Sequence, residues 1–225
     1  MDVHIVSGTE ALIPCGKTGV SATMSHEEDL YVVRRVLELT NKRIPVPAGA
    51  SSTKTAEALM LTEAAKKNGA DGALLVVPYY NKPTQEGMYQ HYKKIADEVS
   101  LPIVMYNVPG RTGVNMMPET AVRLSKISNI VAIKEASGTV DNTMHILREA
   151  PDFTVLSGDD GITFPLMALG AKGVISVAAN VIPKEMHELC VAMLQGNYDE
   201  ARRIHYKYME LFGALFYGSN PIPFK

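Results

Sequence analysis

The chain has 225 residues, of which 46% are hydrophobic and 20% charged, and its formal net charge at pH 7 is -2. This length and composition suit one large globular domain or two small ones, and the slightly negative charge argues against a nucleic-acid-binding surface. No apolar run approaches the length of a membrane helix, so we expect no membrane partner either.

The cysteines indicate a reducing compartment. Cys15 and Cys190 lie far apart in apolar settings and lack CxxC spacing, which predicts free thiols rather than a disulfide. Residues 1–10 contain neither the basic region nor the apolar core of a signal peptide. We therefore expect a cytoplasmic protein.

The first predicted elements are a strand-like run, a turn and a helix. The run ALIPC at 11–15 ends in the turn Gly16-Lys17-Thr18-Gly19. Ser25 and Glu28 then have the spacing of a capping box, which predicts that a helix begins there. A second strand is predicted at 44–49, followed by a helix that ends before Gly69.

Five more strand-like runs follow, each succeeded by a helical stretch. They lie at 73–77, 102–106, 130–133, 153–156 and 173–177. The resulting seven strand-then-helix units, without linkers between them, predict a parallel sheet with right-handed crossovers. An open doubly wound sheet and a closed eight-stranded barrel both fit this alternation.

Polar residues at the strand ends favour the barrel. They include Lys17-Thr18, Tyr79-Tyr80-Asn81, Tyr106-Asn107, Lys134, Ser157-Gly158-Asp159 and Asn180. A barrel gathers the loops of all its strands at one face, whereas a doubly wound sheet concentrates its site at one switch point. The predicted fold is therefore an α/β barrel of the TIM type with one strand fewer than eight. Asp160 is expected to cap the helix after the sixth strand.

The stretch Asn129–Gly138, NIVAIKEASG, contains the strongest candidate for chemistry. Ile130 to Ile133 predict a short buried strand, and Lys134 stands where that strand opens onto a loop. Burial there would disfavour the ammonium form and leave some neutral amine at pH 7. A neutral amine attacks ketones and forms Schiff bases. A solvated lysine at a strand end is the alternative interpretation.

Two residues at the end of the preceding strand add to this hypothesis. Tyr106 is placed to shuttle protons for the Lys134 amine, although a tyrosine that only anchors the barrel rim fits equally well. Arg111 lies in a Pro-Gly-Arg-Thr-Gly turn, where its guanidinium can grip a substrate carboxylate or form a salt bridge within the loop.

Metal and phosphate signatures are incomplete. His187-Glu188 begins a zinc-protease motif, but Val191 occupies the second histidine position. Gly16-Lys17-Thr18 resembles the end of a phosphate-binding loop, but Ala11 stands where that motif needs glycine. We expect no metal and no cofactor.

Five motifs, in order along the chain, resemble the dihydrodipicolinate synthase (4-hydroxy-tetrahydrodipicolinate synthase) family. They are PYYNKPTQEG at 78–87, YNVPGRTG at 106–113, IKEASG at 133–138, LSGDD at 156–160 and GVISVAAN at 173–180. The combination of YNVP-x-RTG with IKEA is specific for pyruvate-dependent aldolase barrels. The arginine in the turn favours this family over N-acetylneuraminate lyase and the keto-deoxy-sugar-acid aldolases.

The resemblance implies an eight-stranded barrel with a C-terminal helical extension, assembled as a homotetramer that is a dimer of dimers. It implies a lyase that condenses pyruvate with aspartate semialdehyde in lysine and diaminopimelate biosynthesis. Compared with the family, we expect an incomplete barrel at 1–196 that lacks its first strand, and part of the extension at 197–225. A sister pyruvate aldolase and a catalytically impaired barrel fragment remain as alternatives.

The resemblance also implies roles for individual residues. Lys134 would form the Schiff base, and Tyr106 would relay protons together with Tyr80, which would reach across a dimer interface into the neighbour's site. Thr18 would bind the pyruvate carboxylate and Arg111 the semialdehyde carboxylate.

Backbone and regulatory positions follow from the same resemblance. Gly158 and Ile175 would line the pyruvate pocket through their backbones. Five residues match the site where lysine acts as a feedback inhibitor in the family, namely Ser21, Ala22, His26, Glu57 and Tyr79. Thr53 stands at an asparagine position of that site.

Lys17 is the main departure in the site. It stands where the family has a threonine whose hydroxyl bridges the two relay tyrosines. We expect its ammonium to lie near Lys134 and to lower the pKa of that amine. Because an ammonium donates hydrogen bonds but accepts none, we also expect it to break the relay between Tyr106 and Tyr80.

Overall fold

A parallel sheet in chain order is the framework of the computed structural model, which describes residues 1–224. The strands in this part of the chain are β1 (Pro47–Gly49), β2 (Gly72–Val76), β3 (Ile103–Asn107), β4 (Ile130–Glu135) and β5 (Thr154–Ser157). Each pairs in parallel with the next, so the carboxyl ends of all five lie at the same edge. With helices between successive strands, the architecture is a partial α/β barrel, which confirms the predicted fold class.

The helices alternate with the strands as the sequence predicts. They are α1 (Asp2–Val6), α2 (His26–Thr40), α3 (Thr55–Lys67), α4 (Gln85–Glu98), α5 (Pro109–Thr112), α6 (Pro118–Leu124), α7 (Asp141–Glu149), α8 (Thr163–Ala168), α9 (Pro183–Leu194) and α10 (Tyr198–Ala214). Within the described chain, none is long and apolar enough to cross a membrane.

Capping side chains explain where several helices begin. The predicted capping box at α2 is confirmed, with the Ser25 amide 2.8 Å from Glu28 Oε2 and the Glu28 amide 3.3 Å from Ser25 Oγ. The Asn197 side chain accepts from the Glu200 amide at the start of α10. Each of these side chains satisfies a backbone donor that the helix itself leaves unpaired.

The run at 11–15 lies alongside β1 in space but does not form a strand, contrary to the prediction. The Leu12 amide donates to the Pro45 carbonyl at 3.1 Å, and the Gly49 amide donates to the Pro14 carbonyl at 3.1 Å. Pro14 has no N–H, and the backbone of Cys15 turns into the left-handed region with φ 58°. Regular pairing therefore stops before it becomes a ladder.

The predicted strand at 173–177 is reduced to a single bridge between Ser157 and Val174. A buried carboxylate ends it: Asp160 accepts from the amides of Val177 and Ala178 at 3.0 and 2.9 Å. Those amides are no longer available for a neighbouring strand, and the 3₁₀ helix Ala178–Asn180 begins there.

The expected capping role of Asp160 is also wrong. Asp159 is the cap, because its Oδ1 accepts from the Gly161 amide at 2.8 Å. Asp160 points into the interior instead, where it also accepts from Ser176 Oγ at 2.5 Å.

The core lies between the sheet and the helices. Its largest fully buried side chains include Leu75, Met88, Tyr92, Ile95, Ile103, Met105, Leu124, Ile133, Ile146 and Leu166. Burying an aliphatic or aromatic side chain of this size stabilises the fold by about 1.5–3 kcal/mol. The strand ends are held rigidly as a result, and the side chains that leave them are well positioned.

Candidate active site

Lys134 and Tyr106 face each other at the carboxyl edge of the sheet. The β3–β4 register pairs the two residues, and the Lys134 Nζ lies 4.3 Å from the centroid of the Tyr106 ring. Burial lowers the pKa of Lys134 to about 8; the nearby Asp160 opposes that shift and Arg111 adds to it. About one tenth of the amine is therefore neutral at pH 7. The arrangement provides a nucleophile at physiological pH.

Gly158 allows the backbone after β5 to approach this lysine. A Cβ at Gly158 would lie 3.0 Å from Lys134 Cε and 2.7 Å from the Ala136 side chain. The Gly158 amide also donates to the Glu135 carbonyl at 2.7 Å. The Ile175 amide donates to the Ser157 carbonyl at 2.9 Å, which places the backbone of Ile175 beside that of Gly158.

Tyr106 is suited to proton transfer. Burial raises its pKa to about 12, and the charge of Arg111 partly opposes that shift. The phenol therefore keeps its proton at neutral pH and can donate it to a leaving hydroxyl.

Arg111 supplies positive charge to the whole site. It lies exposed in the single-turn helix α5, and after burial its charge is a further cause of the lowered pKa of both Lys134 and Lys17. The arginines that form ion pairs within the described residues lie elsewhere on the surface. Its guanidinium is therefore available to an anionic ligand.

The expectation that Lys17 lowers the pKa of Lys134 is wrong, because Arg111 is the cation that does so. The Lys17 ammonium donates instead to the backbone carbonyl of Asn220. Asn220 also reaches the neighbouring Thr18, with its Nδ2 3.2 Å from Thr18 Oγ1. The C-terminal segment is thereby tied to the turn that bears the predicted carboxylate-binding threonine.

Tyr80 lies at the surface, unlike the buried Lys134 and Tyr106. Its side chain is 91% exposed and its backbone is left-handed, with φ 68°. Left-handed backbone is unfavourable for a residue with a Cβ and occurs most often where the surroundings enforce it. The Tyr80 amide donates to the Thr112 carbonyl at 3.4 Å, which ties this loop to α5.

Two of the five residues predicted to bind lysine meet directly. His26 Nε2 lies 2.7 Å from Glu57 Oε1, and hydrogen bonds from Ser52 and His26 lower the pKa of Glu57. Ser21 and Ala22 lie in the 3₁₀ helix just before α2. Tyr79 follows β2 and is 41% exposed.

Sequence reasoning assigned no role in the site to Asn107, Glu135 and Asn220, which support it. Asn107 and Glu135 follow Tyr106 and Lys134 directly and are hydrogen-bonded to each other at 2.9 Å. The signal was present in the sequence, since each is a polar residue that ends an otherwise apolar buried strand. Asn220 gave no such signal, because it is far from Thr18 in the chain. No cluster of three or more metal-ligating side chains occurs in residues 1–224.

The position of Lys134 predicts how its reactivity varies with pH. Acetylation of Lys134 by acetic anhydride, followed by peptide mass spectrometry, should rise through a midpoint near pH 8 because only the neutral amine reacts. Arg111→Ala should move the midpoint upward, since it removes a nearby cation. Arg123→Ala, which removes a surface arginine paired with Glu86, serves as the control and should leave it unchanged. A midpoint near the ordinary lysine value of 10.5 would contradict the assignment.

Known proteins resemble this chain along its whole length. The profile of the Dihydrodipicolinate synthetase family matches residues 1–225. The 4-hydroxy-tetrahydrodipicolinate synthase of Geobacter sulfurreducens is 54% identical over the whole chain, which spans 78% of that relative.

Two solved structures superimpose closely. The chloride-inhibited dihydrodipicolinate synthase of Acinetobacter baumannii, complexed with pyruvate, has a TM-score of 0.97 and 48% identity over 99% of this chain and 77% of its own. The enzyme of Cyanidioschyzon merolae, solved with lysine bound, has a TM-score of 0.95 and 45% identity over 98% of this chain and 76% of its own. The chain therefore belongs to the dihydrodipicolinate synthetase family.

Proposed function

We infer that this chain is a lyase that condenses pyruvate with aspartate semialdehyde through a Schiff base on Lys134. This is the reaction of 4-hydroxy-tetrahydrodipicolinate synthase, in lysine and diaminopimelate biosynthesis. The observation that carries the inference is the Lys134 amine, with a pKa of about 8, held over the ring of Tyr106 at 4.3 Å. Relatives of that name match the chain over its whole length.

In the first step, the neutral amine of Lys134 attacks the keto carbon of pyruvate, and the addition product loses water to give the Schiff base. Tyr106 donates the proton that the departing hydroxyl needs. Thr18 binds the pyruvate carboxylate. Asn220 lies against its hydroxyl, with Nδ2 3.2 Å and Oδ1 3.4 Å from Thr18 Oγ1, so the carboxylate accepts the hydroxyl hydrogen in place of Asn220 Oδ1.

In the second step, the Tyr106 phenolate left by the first step takes a proton from the methyl group of the Schiff base, and the resulting enamine attacks the aldehyde carbon of the second substrate. The amino group of that substrate then displaces the Lys134 amine from the imine carbon, which closes the product ring and frees the enzyme. Arg111 binds the carboxylate of that substrate, because its guanidinium is exposed at the mouth of the site. The backbones of Gly158 and Ile175 line the space around the reacting carbons.

Regulation by lysine is the finer part of the proposal. The relative from Cyanidioschyzon merolae was solved with lysine bound, and Ser21, Ala22, His26, Glu57 and Tyr79 match the residues expected to bind it. The Glu57 carboxylate, with its lowered pKa, is the natural partner for a lysine ammonium. That ammonium would compete with His26 for the same oxygen.

The thiols support a cytoplasmic setting. Cys15 and Cys190 are both free, and burial raises the pKa of each to about 12. Such thiols stay protonated and are unreactive, and unpaired cysteines are typical of proteins of a reducing compartment such as the cytoplasm.

The direct test of function is trapping with pyruvate and borohydride. Reduction should add pyruvate covalently to Lys134 and to no other lysine, because this amine alone combines a buried position with the facing Tyr106. Intact mass and peptide mapping measure the adduct. Lys172→Arg changes an exposed lysine outside the Lys134–Tyr106 pair. This variant is the control and should trap pyruvate normally. Absence of the adduct on folded protein would overturn the proposal.

Tyr80 predicts an assembly whose sites are shared between subunits. In the Lys17→Thr background, where the relay hydroxyl is restored, Tyr80→Phe and Lys134→Ala should each lower turnover strongly when expressed alone. Co-expression should restore activity, because a Lys134→Ala subunit donates its intact Tyr80 to the site of a Tyr80→Phe neighbour. Coupled-assay activity of the purified mixed oligomer measures the effect. A monodisperse monomer in sedimentation, or no recovery in mixed oligomers, would contradict the shared site.

Lys17 predicts a defect in turnover that a single substitution relieves. Lys17→Thr should raise kcat by about tenfold or more, since general acid–base steps contribute roughly 10²–10⁴-fold. Trapping of pyruvate should change little, because Arg111 rather than Lys17 acts on the Lys134 amine. Lys17→Ala removes the contact with Asn220 without supplying a hydroxyl, so its kcat should not rise. Equal kcat in the Thr and Ala variants would refute the hydroxyl relay.

A further inference from the structure

Asn107 and Glu135 form a buried pair at the carboxyl ends of β3 and β4. Both are almost completely buried, at 0% and 1% exposure, and Asn107 Nδ2 donates to Glu135 Oε2 at 2.9 Å. We call this pair the Asn–Glu clamp. The strand register pairs Asn107 with Glu135, one step after it pairs Tyr106 with Lys134. Because side chains alternate along a strand, the clamp and the reacting pair project from opposite faces.

The backbone pairing of β3 with β4 is irregular at the other end. Ile103 pairs with Ile130 but Val104 pairs with Ala132, so the register shifts by one residue between them. A slip by one residue turns side chains to the opposite face of a strand. The clamp fixes the register at the carboxyl ends of the two strands. Its hydrogen bond forms in the register that places Tyr106 opposite Lys134.

The clamp also closes the loop that carries Arg111. Asn107 Oδ1 accepts from the Met116 amide at 3.0 Å, and Asn107 Nδ2 donates to Asn115 Oδ1 at 2.8 Å. Residues 108–115 therefore leave β3 and return to the side chain at its end. Arg111 lies within this closed loop, in α5.

Every polar side-chain atom of the clamp has a hydrogen-bond partner. The second carboxylate oxygen, Glu135 Oε1, accepts from the Ser137 amide at 2.6 Å, so the turn after Lys134 is tied to the same group. Asn142 Nδ2 donates to Asn115 Oδ1 at 3.2 Å and extends the network to α7. Removing one member leaves buried polar groups without partners, which is costlier than losing a surface bond.

We propose that the Asn–Glu clamp is the positioning unit of the reaction: it sets Lys134 against Tyr106 and holds the Arg111 loop over both. Neither clamp residue touches substrate. Both act through the backbone of their neighbours and through the loop base at Asn115 and Met116. The proposal rests on the proposed function for its kinetic consequences, and on geometry alone for its structural ones.

Kinetics of clamp variants test the proposal. Asn107→Ala and Glu135→Ala should each lower kcat by about ten- to a hundredfold, the range expected when reacting groups are misplaced by about 1 Å. KM for pyruvate should change less than kcat. Glu135→Gln, which keeps the shape and one acceptor oxygen, should recover part of the loss. The double alanine variant should be no slower than the slower single variant, because the two side chains act as one unit.

A matched control separates positioning from general loss of stability. Asn129 precedes the opposite end of the same strand, and its Nδ2 donates to the carbonyls of Ala96 and Val99 at 2.9 and 3.1 Å. Asn129→Ala should lower Tm as the clamp variants do but leave kcat within about twofold. Equal losses of kcat at equal Tm in the clamp and control variants would overturn the proposal. So would a Glu135→Gln variant no faster than Glu135→Ala.

Two further measurements cover the remaining cases. If the alanine variants do not fold, Asn107→Asp keeps the shape but sets two carboxylates face to face, and wild-type kcat in that variant would overturn the proposal. A crystal structure of a folded clamp variant measures the 4.3 Å separation of Lys134 Nζ from the Tyr106 ring without any need for turnover. An unchanged separation and an unmoved Arg111 loop would refute positioning, whereas failure of pyruvate trapping in the parent chain would refute only the proposed function.

Discussion

The burial of one amine is the constraint on which the rest of the site depends. Lowering the pKa of Lys134 from 10.5 to about 8 disfavours its charged form, at a cost on the order of 3 kcal/mol in the folded state at neutral pH. That cost persists as pH falls, because the unfolded lysine is protonated more readily than the folded one. The surrounding core must offset it. Rigid strands and a packed interior are therefore conditions for the chemistry as well as for the fold.

Asp160 limits how far burial lowers the pKa of Lys134. Its carboxylate favours the charged form of Lys134, while Arg111 favours the neutral form. The same carboxylate ends the pairing after Val174 by taking the amides of Val177 and Ala178. One buried side chain thus adjusts the nucleophile and shapes the wall beside it. A change at Asp160 would alter both properties together, so it is a poor position for probing either one alone.

The sequence predicts the features that depend on local pattern. Apolar runs that end in polar residues correctly predict five strands, and the Ser25–Glu28 spacing correctly predicts a helix start. Two of the errors concern contacts between distant segments. The predicted strand at 173–177 does not form because the Asp160 carboxylate, which follows β5, accepts from its backbone. The Lys17 ammonium contacts Asn220 rather than Lys134. Neither partner is visible from spacing, because side-chain direction at a loop is decided by what packs against it. The resemblance assigns roles to Lys134 and Tyr106 but none to the Asn–Glu clamp that we propose aligns them.

The contact between Thr18 and Asn220 joins residues that are 202 positions apart. Closing so long a loop costs conformational entropy that is recovered only after the intervening elements have packed, and contacts of this kind slow folding. During synthesis on the ribosome, Asn220 emerges after all five strands and nearly all the helices of the described chain. The nucleophile and its tyrosine come from adjacent strands and can meet early. The corner at Thr18, which we propose binds the carboxylate, is completed after they meet, so a nascent chain holds a buried amine before this corner is in place.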